Sequence, residues 1–584
     1  MNNTRLMFAL ALAVVGFLLL QQWQTEQLPV PAPVTSTPAV AANGTPVPGV
    51  PDVPNAEVAA APGEVPTVVA AVVPGSPMQS PNAAVNAVAA GAIASTVNIE
   101  SDVLKLVVDL RGAEIVQADL LNYPVSLAEK DKLIRMLGDI STGQAMRAQT
   151  GWVASAGAAP SHVDVYRSAT TRAVLGEQAK LEVPFTWAKD GIEVTKVFVL
   201  TRGSYTVDVR FEVKNNSAAT WSAFNYRQLQ RTPAPGISAS FFTKPEAFSF
   251  IGPAIYSPEA RFEKRPFDNF EKEPLDRVII GGWMALLQHH FVVSWIPTPA
   301  ERNRYTTSTL PGDALNSPRM LIRQQTDPIS VAAGASQSTN ARLYVGPKLQ
   351  NQLEVIAPGL AKSIDYGKVT IFSEPLFWML DKFHSWVNNW GWSIVLLVLL
   401  IKIVFYKLSE TQYRSGARMK ALAPKMEEVK RRYPDDRQKQ GQAMMELYKK
   451  EKVNPLAGCF PLLIQIPVFF GLYWVLVESP ELRQAPFMGW IKDLTAADPY
   501  FVLPVLNMAV MYFTTKMTPM TGMDPIQQKM FTYMPLFFGL MMAFFPAGLV
   551  LYWTVNGALG LAQQLYITRK LERETAALAG AKKA

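Results

Sequence analysis

One lysine lies inside an apolar stretch, where a charge is costly. Residues 389–406 contain no charged side chain except Lys402. The stretch is long enough for a membrane-spanning helix, which needs roughly 20 residues. A lysine near the bilayer centre costs about 2.5–3.5 kcal/mol on insertion scales, so such a charge marks a candidate functional site. The alternative is that Lys402, five residues before Lys407, extends its ammonium to the cytoplasmic interface.

Other apolar runs near the C-terminus also carry polar or amphipathic side chains. Gln465 lies within the run 460–477, and Tyr552 and Trp553 lie within the run 547–567. The same region is rich in methionine, including Met534 and Met541. Methionine is flexible and polarisable, which suits a surface that receives many apolar partners. Ordinary filling of a span explains any single methionine equally well.

The composition argues against metal and cofactor chemistry. The chain has one cysteine, Cys459, and four histidines, so we expect no intramolecular disulfide, no metal site and no cofactor. His289 and His290 fall in the predicted strand 278–295, where adjacent side chains point to opposite faces and cannot ligate one metal together. No nucleophile–base spacing is evident, and we assign no catalytic residue and expect no enzyme.

The N-terminal part predicts an anchor followed by a tether. Residues 6–20 are apolar after Arg5, and large residues stand where a signal peptidase needs small ones. Residues 1–28 are therefore predicted to form an uncleaved transmembrane helix. Residues 29–95 are rich in Pro, Ala, Val and Gly with almost no charge, which is typical of a mobile tether. A spacer is favoured over a partner-binding segment.

Residues 96–350 have the pattern of a large β domain. Short alternating runs end at turn residues throughout this region, for example 192–200 before Arg202 and Gly203. Many short strands with frequent turns over this length predict a β-sandwich. Residues 359–388 then have apolar side chains at helical spacing, interrupted by polar ones. We predict an amphipathic helix on the outer membrane surface, with a helix packed on the β domain as the alternative.

The last third predicts a polytopic helical membrane protein. The predicted spans are 389–408, 456–478, 500–516, 530–545 and 547–568, which with the N-terminal helix make six. Between Lys407 and Lys452 there are 13 Lys and Arg against seven Asp and Glu. By the positive-inside rule the predicted helical hairpin 409–453 and the basic tail 569–584 are cytoplasmic. The loop 479–499 and the β domain are then outside, in the periplasm of a two-membrane bacterium, and both termini are cytoplasmic.

Long sequence motifs in this region resemble one known family, the bacterial YidC-type membrane protein insertases in their long form with a periplasmic domain. The similarity covers all of the chain except the tether. It is carried by Asn454-Pro-Leu-Ala-Gly-Cys-Phe-Pro-Leu-Leu-Ile-Gln-Ile-Pro467, Glu481-Leu-Arg-Gln-Ala-Pro-Phe487, Asp498-Pro-Tyr500 and Phe545-Pro-Ala-Gly-Leu-Val-Leu-Tyr-Trp553, and more weakly by residues of the β domain.

The resemblance implies a five-helix core around a polar groove, open to the cytoplasm and to lipid and closed on the outer side. Lys402 stands where the family usually has an arginine in the groove. Lysine keeps the positive charge but lacks the planar, bidentate guanidinium of arginine. Gln465, Tyr552 and Trp553 would line the groove. Phe469, Met534 and Met541 would form a hydrophobic slide.

The implied function is insertion and folding of nascent inner-membrane proteins, alone or with the Sec translocon. The implied partners are those nascent chains, the translocon, membrane lipids and the ribosome, which the basic tail would attract through its RNA; DNA is not among them.

Two alternative functions remain open. A secondary transporter would show inverted repeats, and none is evident. A tethered carbohydrate-active enzyme would need paired carboxylates in one cleft and would leave the basic-looped spans unexplained.

Overall fold

The computed structural model describes residues 95–141, 144–233, 249–311, 318–434, 436–451, 460–517 and 525–581. The predicted N-terminal helix and almost all of the tether lie outside these ranges. The N-terminal half of the described chain is built of strands, and the C-terminal half is built of helices.

The strands form two sheets packed face to face. Their bounds are β1 Thr96–Glu100, β2 Leu104–Asp109, β3 Glu114–Pro124, β4 Leu133–Ser141, β5 Gln144–Ala154, β6 Arg172–Val174, β7 Lys180–Lys189, β8 Ile192–Thr201, β9 Thr206–Asn215, β10 Trp221–Arg231, β11 Gly252–Ser257, β12 Arg261–Lys264, β13 Asp276–Ile280, β14 Trp283–Leu287, β15 Phe291–Ile296, β16 Arg302–Leu310, β17 Arg319–Thr326, β18 Ile329–Val331 and β19 Ser336–Pro347.

Among these residues, one sheet has eleven strands in the order β13-β16-β17-β10-β5-β4-β3-β2-β1-β6, with β18 beside β10. The other has eight, in the order β12-β11-β14-β15-β19-β9-β8-β7. Inward-facing residues alternate with exposed ones, as in β7, where Val183, Phe185 and Trp187 are buried. The rings of Trp152 on β5 and Phe211 on β9 meet edge to face at 5.7 Å across the two sheets. The predicted β-sandwich is confirmed.

One strand prediction was too simple. Residues 278–295 were predicted as a single strand, but the structure divides them among β13, β14 and β15. Gly281 turns the chain after β13 with a φ of 65°, and a Cβ there would lie 2.5 Å from the Pro299 carbonyl oxygen. The second break places His289 and His290 in the turn between β14 and β15, with their rings stacked at 3.8 Å. The prediction that they point to opposite faces of a strand was therefore wrong.

The helices are α1 Gln350–Ile356, α2 Thr370–Val387, α3 Trp390–Val404, α4 Tyr406–Ala421, α5 Ala423–Arg432, α6 Arg437–Lys450, α7 Phe460–Glu478, α8 Val502–Met517, α9 Pro525–Met542 and α10 Ala547–Ala581. The predicted span 389–408 ends as a straight helix at Val404, because Phe405 leaves helical geometry. The first half of the predicted hairpin 409–453 is likewise broken, at Leu422 between α4 and α5. Pro424 lies in the first turn of α5, and proline disfavours a continuous helix because it has no N–H to donate.

The helices pack into one body with the sandwich. Helix α10 packs against α8, α3 and α4, while α2 packs against α3 and α7. One cluster of buried apolar residues runs from the sandwich into these helices. No single helix in the described ranges has both the length and the apolar character of a membrane span; the segments Trp390–Val404 and Tyr406–Met419, bent by 65°, meet those criteria together.

Candidate functional site

Lys402 lies in the last turn of α3 and faces α10. Its side chain is half-buried, and a Cβ added at Gly560 would lie 3.5 Å from its Nζ. No acidic side chain within the described part of the chain forms an ion pair with Lys402. The ammonium thus lies beside α10, and no carboxylate of the described residues compensates its charge.

Polar groups from two neighbouring helices, α4 and α10, lie beside this lysine. The amide of Gln563 on α10 donates to the Lys402 carbonyl oxygen at 3.4 Å, and Tyr413 on α4 donates its hydroxyl to the Gly560 carbonyl oxygen at 3.1 Å. Gln563 Oε1 is buried and accepts no hydrogen bond from any residue that the structure describes. Sequence reasoning missed Tyr413 and Gly560; no sequence signal identified them, because only the bend after α3 brings α4 beside α10.

Gln465, Tyr552 and Trp553 meet at the contact between α7 and α10. Gln465 donates its amide to the Tyr552 hydroxyl at 3.0 Å. The Trp553 ring stacks on Phe469 with centroids 4.5 Å apart. A predicted groove residue therefore contacts a predicted slide residue. Gly560 follows Tyr552 by eight positions on α10, which is about 12 Å along the helix axis, so Lys402 lies near a different turn of the same helix.

Met534 and Met541 lie on α9, and both are half-buried. Met541 packs against the buried core. The exposed face of α9 is formed by other large apolar residues at helical spacing, namely Met530, Tyr533, Leu536, Phe537 and Leu540. Their spacing of three and four residues is a signal for a helix face that the sequence contains.

The outer loop, residues 479–499, connects α7 to α8 and touches the sandwich. Glu481 in this loop accepts a hydrogen bond at Oε1 from the Gln350 N–H at 3.1 Å. Burial raises the pKa of the Glu481 carboxyl to about 7, against the lowering effect of the backbone hydrogen bonds. Its Oε2 is buried and has no partner among the described residues. Within those residues there is also no group of three metal-ligating side chains.

Comparison with known proteins agrees with this architecture. The family model described as "60Kd inner membrane protein" matches residues 382–574, and that described as "YidC periplasmic domain" matches residues 96–379. A relative in Stenotrophomonas maltophilia (strain R551-3), named "Membrane protein insertase YidC", is 44% identical over 98% of this chain and 97% of its own. A relative of the same name in Xanthomonas campestris pv. campestris (strain B100) is 43% identical over 98% of this chain and 98% of its own. Another in Methylococcus capsulatus is 43% identical over 82% of this chain and 86% of its own.

A solved structure titled "Active YidC insertase crystal structure with the first transmembrane domain resolved" covers 81% of this chain and 92% of its own, at 18% identity and a TM-score of 0.36. The sequence matches to the two family models and to the named relatives cover nearly the whole chain. They define the class: a bacterial inner-membrane protein with a β-sandwich domain in the periplasm. The chain belongs to the YidC family of membrane protein insertases. It acts on membrane proteins, as the resemblance predicted, and its relatives are named as insertases rather than enzymes.

Proposed function

We propose that insertion proceeds through a groove whose polar wall contains Lys402, Gln465, Tyr552 and Trp553. The observation that carries the proposal is the position of Lys402, half-buried beside Gly560 and without an ion-pair partner in the described residues. An uncompensated cation at such a place attracts an acidic or polar segment that would otherwise have to cross about 30 Å of hydrocarbon unaided. Gln563 supplies an unused acceptor next to it.

The apolar part of the incoming span needs an apolar surface on its way into lipid. Phe469 would form the start of this apolar surface, and its stacking on Trp553 supports a position next to the polar wall. The slide would also include the exposed apolar face of α9, together with the half-buried Met534 and Met541 on the same helix. The nascent segment is then held at its polar end while its apolar end moves along this slide.

The membrane topology is part of the same proposal. Six spans place both termini and the α5–α6 hairpin in the cytoplasm, where the hairpin receives the chain. The excess of basic residues between Lys407 and Lys452 supports this orientation. The basic C-terminal tail attracts ribosomal RNA electrostatically, and substrates reach the groove either directly or from the Sec translocon. Reconstitution with and without translocon and ribosomes would separate these routes.

Photo-crosslinking tests the groove. Single probes at Lys402, Gln465 and Tyr552 are presented to ribosome-stalled chains of a short single-span membrane protein. Val404 is the matched control, because it lies on the same helix as Lys402 and its side chain is 64% exposed. We expect adducts from the three inner positions and none from Val404. Equal yields at all four positions, or no adducts in a protein that still inserts, would refute the groove.

A further inference from the structure

The outer loop is fixed along one edge to the β-sandwich. Arg483 Nη2 donates to the carbonyl oxygens of Pro124 and Val125, both at 2.9 Å, at the end of β3. Gln484 Nε2 donates to the same Pro124 oxygen at 3.2 Å. The Arg483 guanidinium also lies over the Phe291 ring, 5.9 Å from its centroid. A charged donor shared by two carbonyls makes this a directional contact.

A second set of polar contacts joins the sandwich to the end of α7 and the start of the loop. His290 Nε2 lies 2.7 Å from the Val477 carbonyl oxygen, and Ser249 donates its hydroxyl to Glu478. Tyr366, between α1 and α2, lies 3.3 Å from Ser479 through its hydroxyl oxygen. These groups are buried or half-buried, so breaking them would leave polar atoms without partners, which is unfavourable.

The other edge of the loop is fixed to two helix N-termini. The N–H groups of Ala547 and Gly548, which begin α10, donate to the carbonyl oxygens of Ala496 and Leu494 at 2.7 and 2.8 Å. The Asp498 carboxylate accepts from the Leu503 N–H at 2.7 Å, at the start of α8. The first N–H groups of a helix have no partner within the helix, so the loop satisfies donors that α8 and α10 cannot satisfy themselves.

We propose that the β-sandwich acts as a brace that holds the outer loop across the outer ends of α8 and α10, and thereby keeps the groove closed toward the periplasm. The closure of the groove depends on the function proposed above; the bracing of the loop does not. A loop of this length that was attached only at its ends would exchange among many conformations. Here the contacts at Arg483 and Gln484 select one of them, and the selected conformation caps both helices.

Hydrogen exchange measured on the full-length protein in lipid nanodiscs tests the brace. Arg483→Ala removes the donor to Pro124 and Val125, and we expect the amides of Ala547, Gly548 and Leu503 to exchange about tenfold faster than in the unmodified protein. Arg483→Lys, which can still reach one carbonyl, should show a smaller increase. Gln484→Ala provides a milder variant should Arg483→Ala fold poorly, with an expected increase of about threefold.

The matched control is Arg202→Ala. Arg202 also donates its guanidinium to two backbone carbonyls, those of Gly176 and Gln178, but both lie within the sandwich. This variant should leave the three reporter amides unchanged. Reporter amides that are as slow in Arg483→Ala and Gln484→Ala as in the unmodified protein, or equally accelerated by Arg202→Ala, would overturn the proposal.

The yield of insertion of a single-span substrate is measured with the same preparations. This second measurement separates a failure of the brace from a failure of the proposed function. Faster exchange with unchanged insertion supports the brace and shows that closure does not limit insertion. Unchanged exchange overturns the brace, whatever the insertion yield. Absence of adducts from the groove probes, in a protein whose reporter amides do exchange faster after Arg483→Ala, would instead refute the groove and leave the bracing of the loop standing.

Discussion

Replacing Glu481 with glutamine should stabilise the protein in a pH-dependent way. Burial raises the pKa of this carboxyl from 4.5 to about 7, with a smaller raising effect from Asp381. A carboxyl whose pKa is raised in the folded state stabilises the fold only while it is protonated. That contribution is fully present below pH 4.5 and is lost as the pH rises through 7. Glutamine is neutral at every pH and resembles the protonated acid.

The expected size follows from the shift. A change from 4.5 to about 7 corresponds to about 3 kcal/mol of unfolding free energy at 1.36 kcal/mol per pKa unit. The difference between Glu481→Gln and the unmodified protein should therefore be near zero at pH 4.5 and approach this value above pH 7. Glutamine also keeps the oxygen that accepts from the Gln350 N–H, so the variant does not lose that contact.

Thermal unfolding in detergent at pH 4.5, 6 and 8 measures this difference. Burial lowers the pKa of His290 to about 4 and, with the neighbouring His290 charge, that of His289 to about 2. Both histidines therefore oppose folding as the pH falls, but they are present in both proteins and cancel in the difference. Glu354→Gln on α1, at an exposed position, is the control for removing a carboxyl group that is not buried. A flat difference for Glu481→Gln, or one that grows toward low pH, would refute the reasoning.

Three further predictions concern the groove. Lys402→Glu should reduce insertion of a substrate with an acidic outer segment more than that of a matched neutral one, and equal losses would exclude attraction by this charge. Tyr552→Phe should cost about 1 kcal/mol of unfolding free energy, because the Gln465 amide loses its acceptor. The double variant with Gln465→Leu should lose less unfolding free energy than the sum of the two single variants. In a double-mutant cycle, Phe469→Ala and Trp553→Ala should show a coupling of about 0.5–1.5 kcal/mol from their stacked rings, whereas additive effects would show that the rings do not interact.

The sequence predicted the sandwich because alternation with a period of two is a local signal. Strand β8 is an example, since it covers Ile192–Thr201 and the predicted run was 192–200. The run 278–295 was taken as one strand, but its two breaks fall at Gly281-Gly282 and at Gln288-His289-His290, between short apolar segments. In a strand buried on both faces, as β14 and β15 are, alternation no longer marks where the chain turns.

The candidate site was only partly predictable for a different reason. Lys402 and Gln465 stand out as polar residues in apolar surroundings, which is a property of composition. The contact between Tyr413 and Gly560 depends on the direction that α4 takes after the bend at Phe405, and the contact of Arg483 with β3 joins residues more than 350 positions apart. Nothing in local spacing encodes such pairs. The outer loop was predicted as a connection, and its role at two helix N-termini became visible only in the hydrogen bonds.

Helix α10 spans 35 residues without interruption, from Ala547 to Ala581. At about 1.5 Å per residue it is about 52 Å long, whereas the hydrocarbon core of a bilayer is about 30 Å thick. In the topology proposed above, this one unbroken helix would reach from the outer loop at Ala547 through the hydrocarbon core and continue beyond it on the cytoplasmic side. The helix would then link the two sides of the membrane mechanically, without a hinge between them.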